Sequence, residues 1–134
     1  MTQDKDLLLK YLCMALPYGV EIQVSDWTLL DTTLKFGHIA LLLNNDIKLK
    51  PYLRPMSTMT RTELHEVQEI LGRDVEICDG FIDIVDSSRK RFTFLELQAL
   101  FGWFLKNHFD FMDLIPKGLA IEVTKENNPY EIYA

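Results

Sequence analysis

Two cysteines, Cys13 and Cys78, are all that this chain of 134 residues contains. Each sits in an apolar stretch, with no CxxC pair and no framework of even spacings. That excludes a disulfide scaffold and leaves two buried thiols in a reducing compartment as the expectation. A disulfide between the two is the less favoured alternative. Basic charge is also scarce, with 14 Lys and Arg against 20 Asp and Glu, a formal charge of −6. A field of that sign opposes phosphate backbones, so tight binding to nucleic acid would need a strong local basic patch. The acidic balance reads as solubility rather than as nucleic-acid mimicry. No hydrophobic run reaches the ~18 residues of a membrane span. Residues 7–16 come closest, but Lys10 interrupts them, Asp4 and Asp6 surround Lys5, and no A-x-A-like site follows. An intracellular, soluble protein is expected. The six glycines are scattered, and neither G-x-G-x-x-G nor G-x-x-x-x-G-K-[ST] occurs, so no phosphate-cradling loop is present.

What is there is ordinary globular material: 48% hydrophobic and 25% charged residues, enough for one domain with one core. Residues 4–16 read as a helix, apolar nearly all round and therefore mostly buried, ended by Pro17 and Gly19. Val20, Ile22 and Val24 alternate with Glu21 and Gln23, a half-buried strand. Thr28, Thr32 and Thr33 favour a strand over 27–34. Residues 38–43, bounded by Gly37 and by Asn44-Asn45-Asp46, read as a strand ending in a turn. Ile47 to Leu53 returns as a strand that Pro51 restricts to an edge.

The clearest local signals are two helix starts. Thr60 with Glu63 forms a T-x-x-E capping box, stapled by Met59 and Leu64, followed by Leu64, Val67, Ile70 and Leu71 at helical spacing and by Gly72. Thr93 with Glu96 repeats the device, stapled by Phe92 and Leu97. Phe94, Leu97, Leu100, Phe101, Phe104 and Leu105 then predict a broad buried face. Gly102 inside that helix costs about 1 kcal/mol against alanine, which predicts a backbone packed close to it. Between the two helices, residues 75–78 and 81–85 flank Asp79-Gly80 as a hairpin. Residues 110–115 predict one further turn, and 119–123 a last strand. The order α, β, α, β, α predicts an α+β fold: a single compact domain over 1–124, about three helices on a small, mostly antiparallel sheet. Residues 125–134 predict a polar, mobile C-terminal tail.

Two segments carry a resemblance. Residues 50–60 read KPYLRPMSTMT, and residues 103–120 read WFLKNHFDFMDLIPKGLA. Together they resemble a family of small uncharacterised proteins from phages, prophages and mobile elements of gut Bacteroidetes. There a K-P-x-L-R-P-[LM]-S-x-[ML]-T stretch leads into a helix, and a W-L-N-x-H-x-D-[YF]-x-x-L-I-x-K-G-L-A stretch closes the domain. Pro51, Leu53, Arg54, Pro55, Ser57 and Thr60 agree with the first pattern. Asn107, His108, Asp110, Leu114, Ile115, Lys117, Gly118, Leu119 and Ala120 agree with the second. Residues 20–49 do not resemble the family. The resemblance implies a genomic setting and the cytoplasm of a bacterial cell; it brings no activity and no catalytic residue.

The search for chemistry favours bland readings. His65-Glu66-Val67-Gln68-Glu69 half-matches H-E-x-x-H, but Glu69 replaces the second histidine and nothing points to His38 or His108 as a third ligand, so a solvated helix face explains it better. Asp79, Asp83 and Asp86 lack calcium-loop spacing and read as strand and turn residues. No G-x-S-x-G elbow occurs. His108 with Asp110 is the one His/Asp pair close in sequence, and helix-end roles suit both, imidazole bonding the last carbonyls and carboxylate capping the next turn. Arg54, between Leu53 and Pro55, suits bonds to carbonyls where strand turns to helix. No catalytic, cofactor or metal residue is assigned. The expected function is a non-catalytic protein–protein module of a phage or mobile element, its contact surface open among the Trp27 strand, the edge near Pro51 and the tail. Unpaired strand edges also allow a two-fold homodimer. The alternatives are a nucleic-acid-associated phage protein using Arg89, Lys90 and Arg91, or an enzyme whose site residues are dispersed.

Overall fold

The computed structural model describes residues 2–25, 29–72, 75–78, 81–84 and 93–130. Helix α1 (Thr2–Ala15) runs into a 3-10 turn over Leu16–Tyr18. Strands β1 (Glu21–Ser25) and β2 (Leu29–Thr33) pair antiparallel, helix α2 covers Phe36–Leu43, and β3 (Lys48–Leu53) returns antiparallel to β1. After a 3-10 turn at Met56–Thr58 come α3 (Arg61–Leu71), the antiparallel pair β4 (Val75–Cys78) and β5 (Phe81–Ile84), α4 (Phe94–Lys106) and the short β6 (Ile121–Glu122). The main sheet is mixed, in the order β2-β1-β3-β6, with β6 parallel to β3. The described residues form a compact α+β fold with four helices.

Both capping boxes form. Thr60 Oγ1 accepts the Glu63 N–H at 3.1 Å while Glu63 Oε1 accepts the Thr60 N–H at 2.9 Å; the Thr93–Glu96 pair repeats this at 3.1 and 2.7 Å. Each box satisfies two backbone donors that helix formation leaves open, and the left-handed Gly72 closes α3.

Two apolar clusters make the core. The first gathers Leu8, Tyr11, Leu12 and Ala15 of α1 with Val20, Ile22, Leu34, Ile39, Leu42, Leu49 and Leu53. The second joins Val67 and Leu71 of α3 to Leu100, Trp103, Phe104 and Phe109. Helix α4 links them, since Leu105 packs into the first, and Phe111 touches both. Its ring stacks on Phe101 and Phe104 at centroid separations of 5.3 and 5.5 Å.

Several expectations are corrected. Residues 38–43 lie in helix α2, not a strand. Ile39 and Leu42 are buried while Leu41 and Leu43 face solvent, and His38 Nδ1 accepts the Lys35 N–H at 3.0 Å to fix the first turn. A short Leu/Ala-rich run is ambiguous by periodicity, and leucine and alanine favour helix over strand. β3 is not an edge strand: it lies between β1 and β6. Pro51 pairs with Ile22, but the β6 register begins only at Tyr52, so β3 keeps a free edge at Pro51, where a residue without an N–H is tolerated. Helix α1 buries one stripe only, Leu8, Tyr11, Leu12 and Ala15, and leaves Cys13 exposed rather than buried. The side chain of Cys78 lies outside the described residues. In α4, Phe94 is 79% exposed and Phe101 is also on the surface, whereas Trp103 is buried.

No backbone presses on Gly102. A Cβ built there meets only the Tyr18 hydroxyl, at the ordinary contact distance of 3.7 Å. Gly102→Ala is therefore expected to stabilise the protein by about 0.5–1 kcal/mol, through helix propensity and a less disordered unfolded chain. A raised urea midpoint at unchanged m-value would show it.

Candidate functional site

The two segments that carry the family resemblance meet in space. Beyond β3, Arg54 is bridged in parallel to Phe109: its N–H donates to the His108 carbonyl and its carbonyl accepts from the Asp110 N–H, both at 2.8 Å. The Arg54 side chain then turns back to α3. Nη1 and Nη2 donate to the two Glu63 carboxylate oxygens at 2.7 and 2.8 Å, and Nη2 also reaches the Thr58 carbonyl at 3.3 Å. The guanidinium carbon lies 4.2 Å from the centre of the Phe109 ring. A forked cation suits this place, because it pairs bidentately with a carboxylate while its plane covers a ring. Partial burial pushes the Glu63 carboxyl up, yet the hydrogen bonds from Arg54 and Thr60 and the Arg54 charge outweigh it, and the pKa falls below its ordinary value.

Asp110 follows at once and is 6% exposed. Its Oδ1 accepts the Leu114 N–H at 2.8 Å and Oδ2 accepts the Ile115 N–H at 2.9 Å. The carboxylate thus caps the turns that carry the chain back to β6. The amides lie four and five residues ahead, farther than in an ordinary N-cap, because residues 111–120 form turns rather than a helix.

His108 sits in the left-handed region, φ +63°, just past the end of α4. Its backbone N–H donates to the Leu105 carbonyl at 3.3 Å, but the helix end is bonded by Asn107 rather than by the imidazole: the Asn107 backbone and side-chain amides both donate to the Trp103 carbonyl, at 3.1 and 3.0 Å. The imidazole stacks on Tyr130 with ring centres 3.8 Å apart and an interplanar angle of 9°. Its Nδ1 is buried and has no hydrogen-bond partner among the described residues. Burial, assisted by the Arg54 charge, holds the His108 pKa down to about 4 from an ordinary 6.5. An unfolded chain takes up this proton near pH 6.5 and the folded one refuses it until about pH 4. Stability from this group is therefore complete above pH 6.5 and lost as pH falls to 4, by on the order of 1–2 kcal/mol once solvent screening of the half-buried ring is allowed for. In His108→Asn, which tolerates positive φ and does not titrate, this part of the acid limb in urea midpoints measured against pH is expected to flatten.

Tyr130 anchors the segment expected to be mobile. Its hydroxyl donates to the Tyr52 carbonyl at 2.8 Å and accepts the Glu21 N–H at 2.9 Å. The Tyr130 N–H donates to Asn128 Oδ1 at 3.0 Å, an Asx turn, so the expected tail is tied to β1 and β3 at Tyr130; residues 131–134 lie outside the described residues. Arg54, Lys106, Asn107, His108, Asn128 and Tyr130 surround a half-open cavity of about 380 Å³.

Other candidates are not brought together. His65 lies exposed on α3, and among the described residues no group of three or more His, Cys, Asp or Glu could hold a metal ion. Arg89, Lys90 and Arg91 lie outside the described residues, as do Trp27, Asp79, Asp86 and the side chain of Asp83. No described helix is long and apolar enough to cross a membrane. Tyr130, Lys106 and Asn128 were missed by sequence reasoning; an aromatic directly after Asn127-Asn128-Pro129 was the available signal.

The second surface feature is the uncovered flank of α4. Phe94 and Leu95 are 79% and 74% exposed, and Gln98, Ala99 and Phe101 continue the same arc in the open. Tyr18, exposed in the turn after α1, brings its hydroxyl to Gly102 of α4, and Met14 near the end of α1 is exposed as well. No charged residue interrupts the α4 arc between Phe94 and Phe101 on this side. Comparison of the chain with protein-family models, with curated proteins and with solved structures found no match.

Proposed function

We propose that the protein works by protein–protein contact, as a non-catalytic accessory of a phage or mobile element, with the uncovered flank of α4 as its contact face. The observation that carries this reading is the exposure of Phe94, Leu95 and Phe101 on one flank of α4, with the exposed Tyr18 beside Gly102. Large apolar side chains gathered on one uncharged face mark interaction surfaces, whereas scattered ones do not. The polar residues that invite a catalytic reading support it from the other side. Arg54, Glu63 and Asp110 each spend their hydrogen bonds on the fold. The genomic setting comes from the family resemblance alone.

Affinity capture from lysogen-bearing cells, run in parallel with the wild-type chain and Leu95→Glu, tests the reading. Leu95 packs against little, so the substitution is expected to change stability by under about 0.5 kcal/mol while abolishing retention of the partner. A partner retained equally by both chains would refute the assignment of the α4 face. Sedimentation of the purified protein shows whether that partner is a second copy.

A further inference from the structure

We infer that the cavity at the end of α4 binds a small organic carboxylate, independently of the α4 contact face. At about 380 Å³ the cavity has the size of ordinary ligand sites. None of its six lining residues is acidic, in a chain of formal charge −6. The charge of Arg54 is matched by Glu63 through two short hydrogen bonds, and the His108 ring is neutral at neutral pH. Lys106 is left over: it is exposed and makes no ion pair among the described residues. Among the described residues the wall thus offers one net positive charge, which matches a monoanion. A phosphate dianion would bring a second negative charge with nothing opposite it.

The helix end does not oppose this ligand as a bare one would. The Trp103, Phe104 and Leu105 carbonyls already accept from the Asn107, Phe109 and His108 amides, so the negative pole of α4 is largely covered. The two carboxamides have complementary groups left. Asn107 commits its NH2 to the Trp103 carbonyl and Asn128 its oxygen to the Tyr130 N–H; among the described residues the Asn107 oxygen and the Asn128 NH2 take no further partner. A carboxylate with a neighbouring hydroxyl or amine would use Lys106 and the Asn128 donor for the anion and Asn107 as acceptor. His108 adds a second sign. It bears a left-handed backbone and a buried nitrogen that has no partner among the described residues, two costs of a kind that gather at ligand sites.

Titration of the 15N-labelled protein with acetate at ionic strength held constant by chloride tests this. Saturable shifts of the Asn107 and Asn128 side-chain amides are expected in the millimolar range, about what a ligand of four non-hydrogen atoms reaches. Lys106→Ala, at an exposed position, should weaken them at least about fivefold, and Lys106→Arg should restore most of the loss. Shifts that fail to saturate, or that are unchanged in Lys106→Ala, would overturn the proposal. So would inorganic phosphate binding more tightly than acetate. The α4-face variant Leu95→Glu should titrate as wild type, so the two readings fail separately.

Discussion

Arg54→Ala is expected to cost about 2–3 kcal/mol of stability, read as a lowered urea midpoint. The loss has three parts. The fork to Glu63 disappears, and that carboxylate, whose side chain is only 16% exposed, keeps the Thr60 N–H but loses its cation. The Phe109 ring loses the guanidinium that covers it at 4.2 Å. The Thr58 carbonyl loses a donor. Deleting one partner of a deeply buried pair costs about 3–5 kcal/mol, and the 24% exposure of the Arg54 side chain moves the expectation below that range. Arg54→Lys should recover little, because a lysine ammonium neither pairs bidentately nor lies flat on a ring. The acid dependence carries its own sign. Glu63 has a depressed folded pKa, so its contribution is present above the unfolded carboxylate pKa and fades as pH falls through the folded one. In Arg54→Ala that fading should be much reduced.

Asp110→Ala should cost a similar amount, about 2–4 kcal/mol, for a different reason. Two backbone amides, those of Leu114 and Ile115, lose their acceptors, and Leu114 is fully buried. Water cannot replace the carboxylate there without opening the turns. Asp110→Asn keeps one acceptor oxygen of the two and should fall between wild type and alanine. The effect should spread along the chain, because these turns deliver β6 to β3. Amide exchange is expected to speed up at Leu114, Ile115 and Val123, whose N–H donates to the Leu53 carbonyl at 2.9 Å. Fast exchange confined to Leu114 and Ile115 would mean that β6 docks without this cap.

The legible parts of this fold are those where one local mechanism decides. Thr60 and Thr93 start helices because side-chain oxygens three residues apart satisfy two open amides, a matter of neighbours in sequence. The alternation at Ile22 and Val24 sufficed for β1. Residues 38–43 were illegible as a helix, since a short apolar run fits either period and only burial on one side separates them. Pro51 misled because the edge rule concerns a hydrogen-bonding position rather than a whole strand. The exposure of Phe94 and Phe101 was hidden for a similar reason. A helix with apolar residues around more than half its circumference does not say which part meets the core.

The candidate site divides along the same line. Arg54, His108 and Asp110 stood out from the sequence, but Arg54 lies more than fifty residues from the loop it grips. Glu63 was visible only as half of a capping box, not as the acid that holds the guanidinium. Tyr130 was hidden in a polar stretch, and its two hydrogen bonds to β1 and β3 are long-range consequences of the turn at Asn128. Local turn chemistry could have been read; its destination could not.

The view that Arg54 and its partners hold the fold together is tested most directly by a double-mutant cycle on Arg54→Ala and Glu63→Gln in urea. A coupling of about 1 kcal/mol or more is expected, well beyond the few tenths of exposed ion pairs. Additivity within about 0.3 kcal/mol would mean that the fork seen at 2.7 and 2.8 Å does not bind the two segments, and the structural role assigned to them would be wrong.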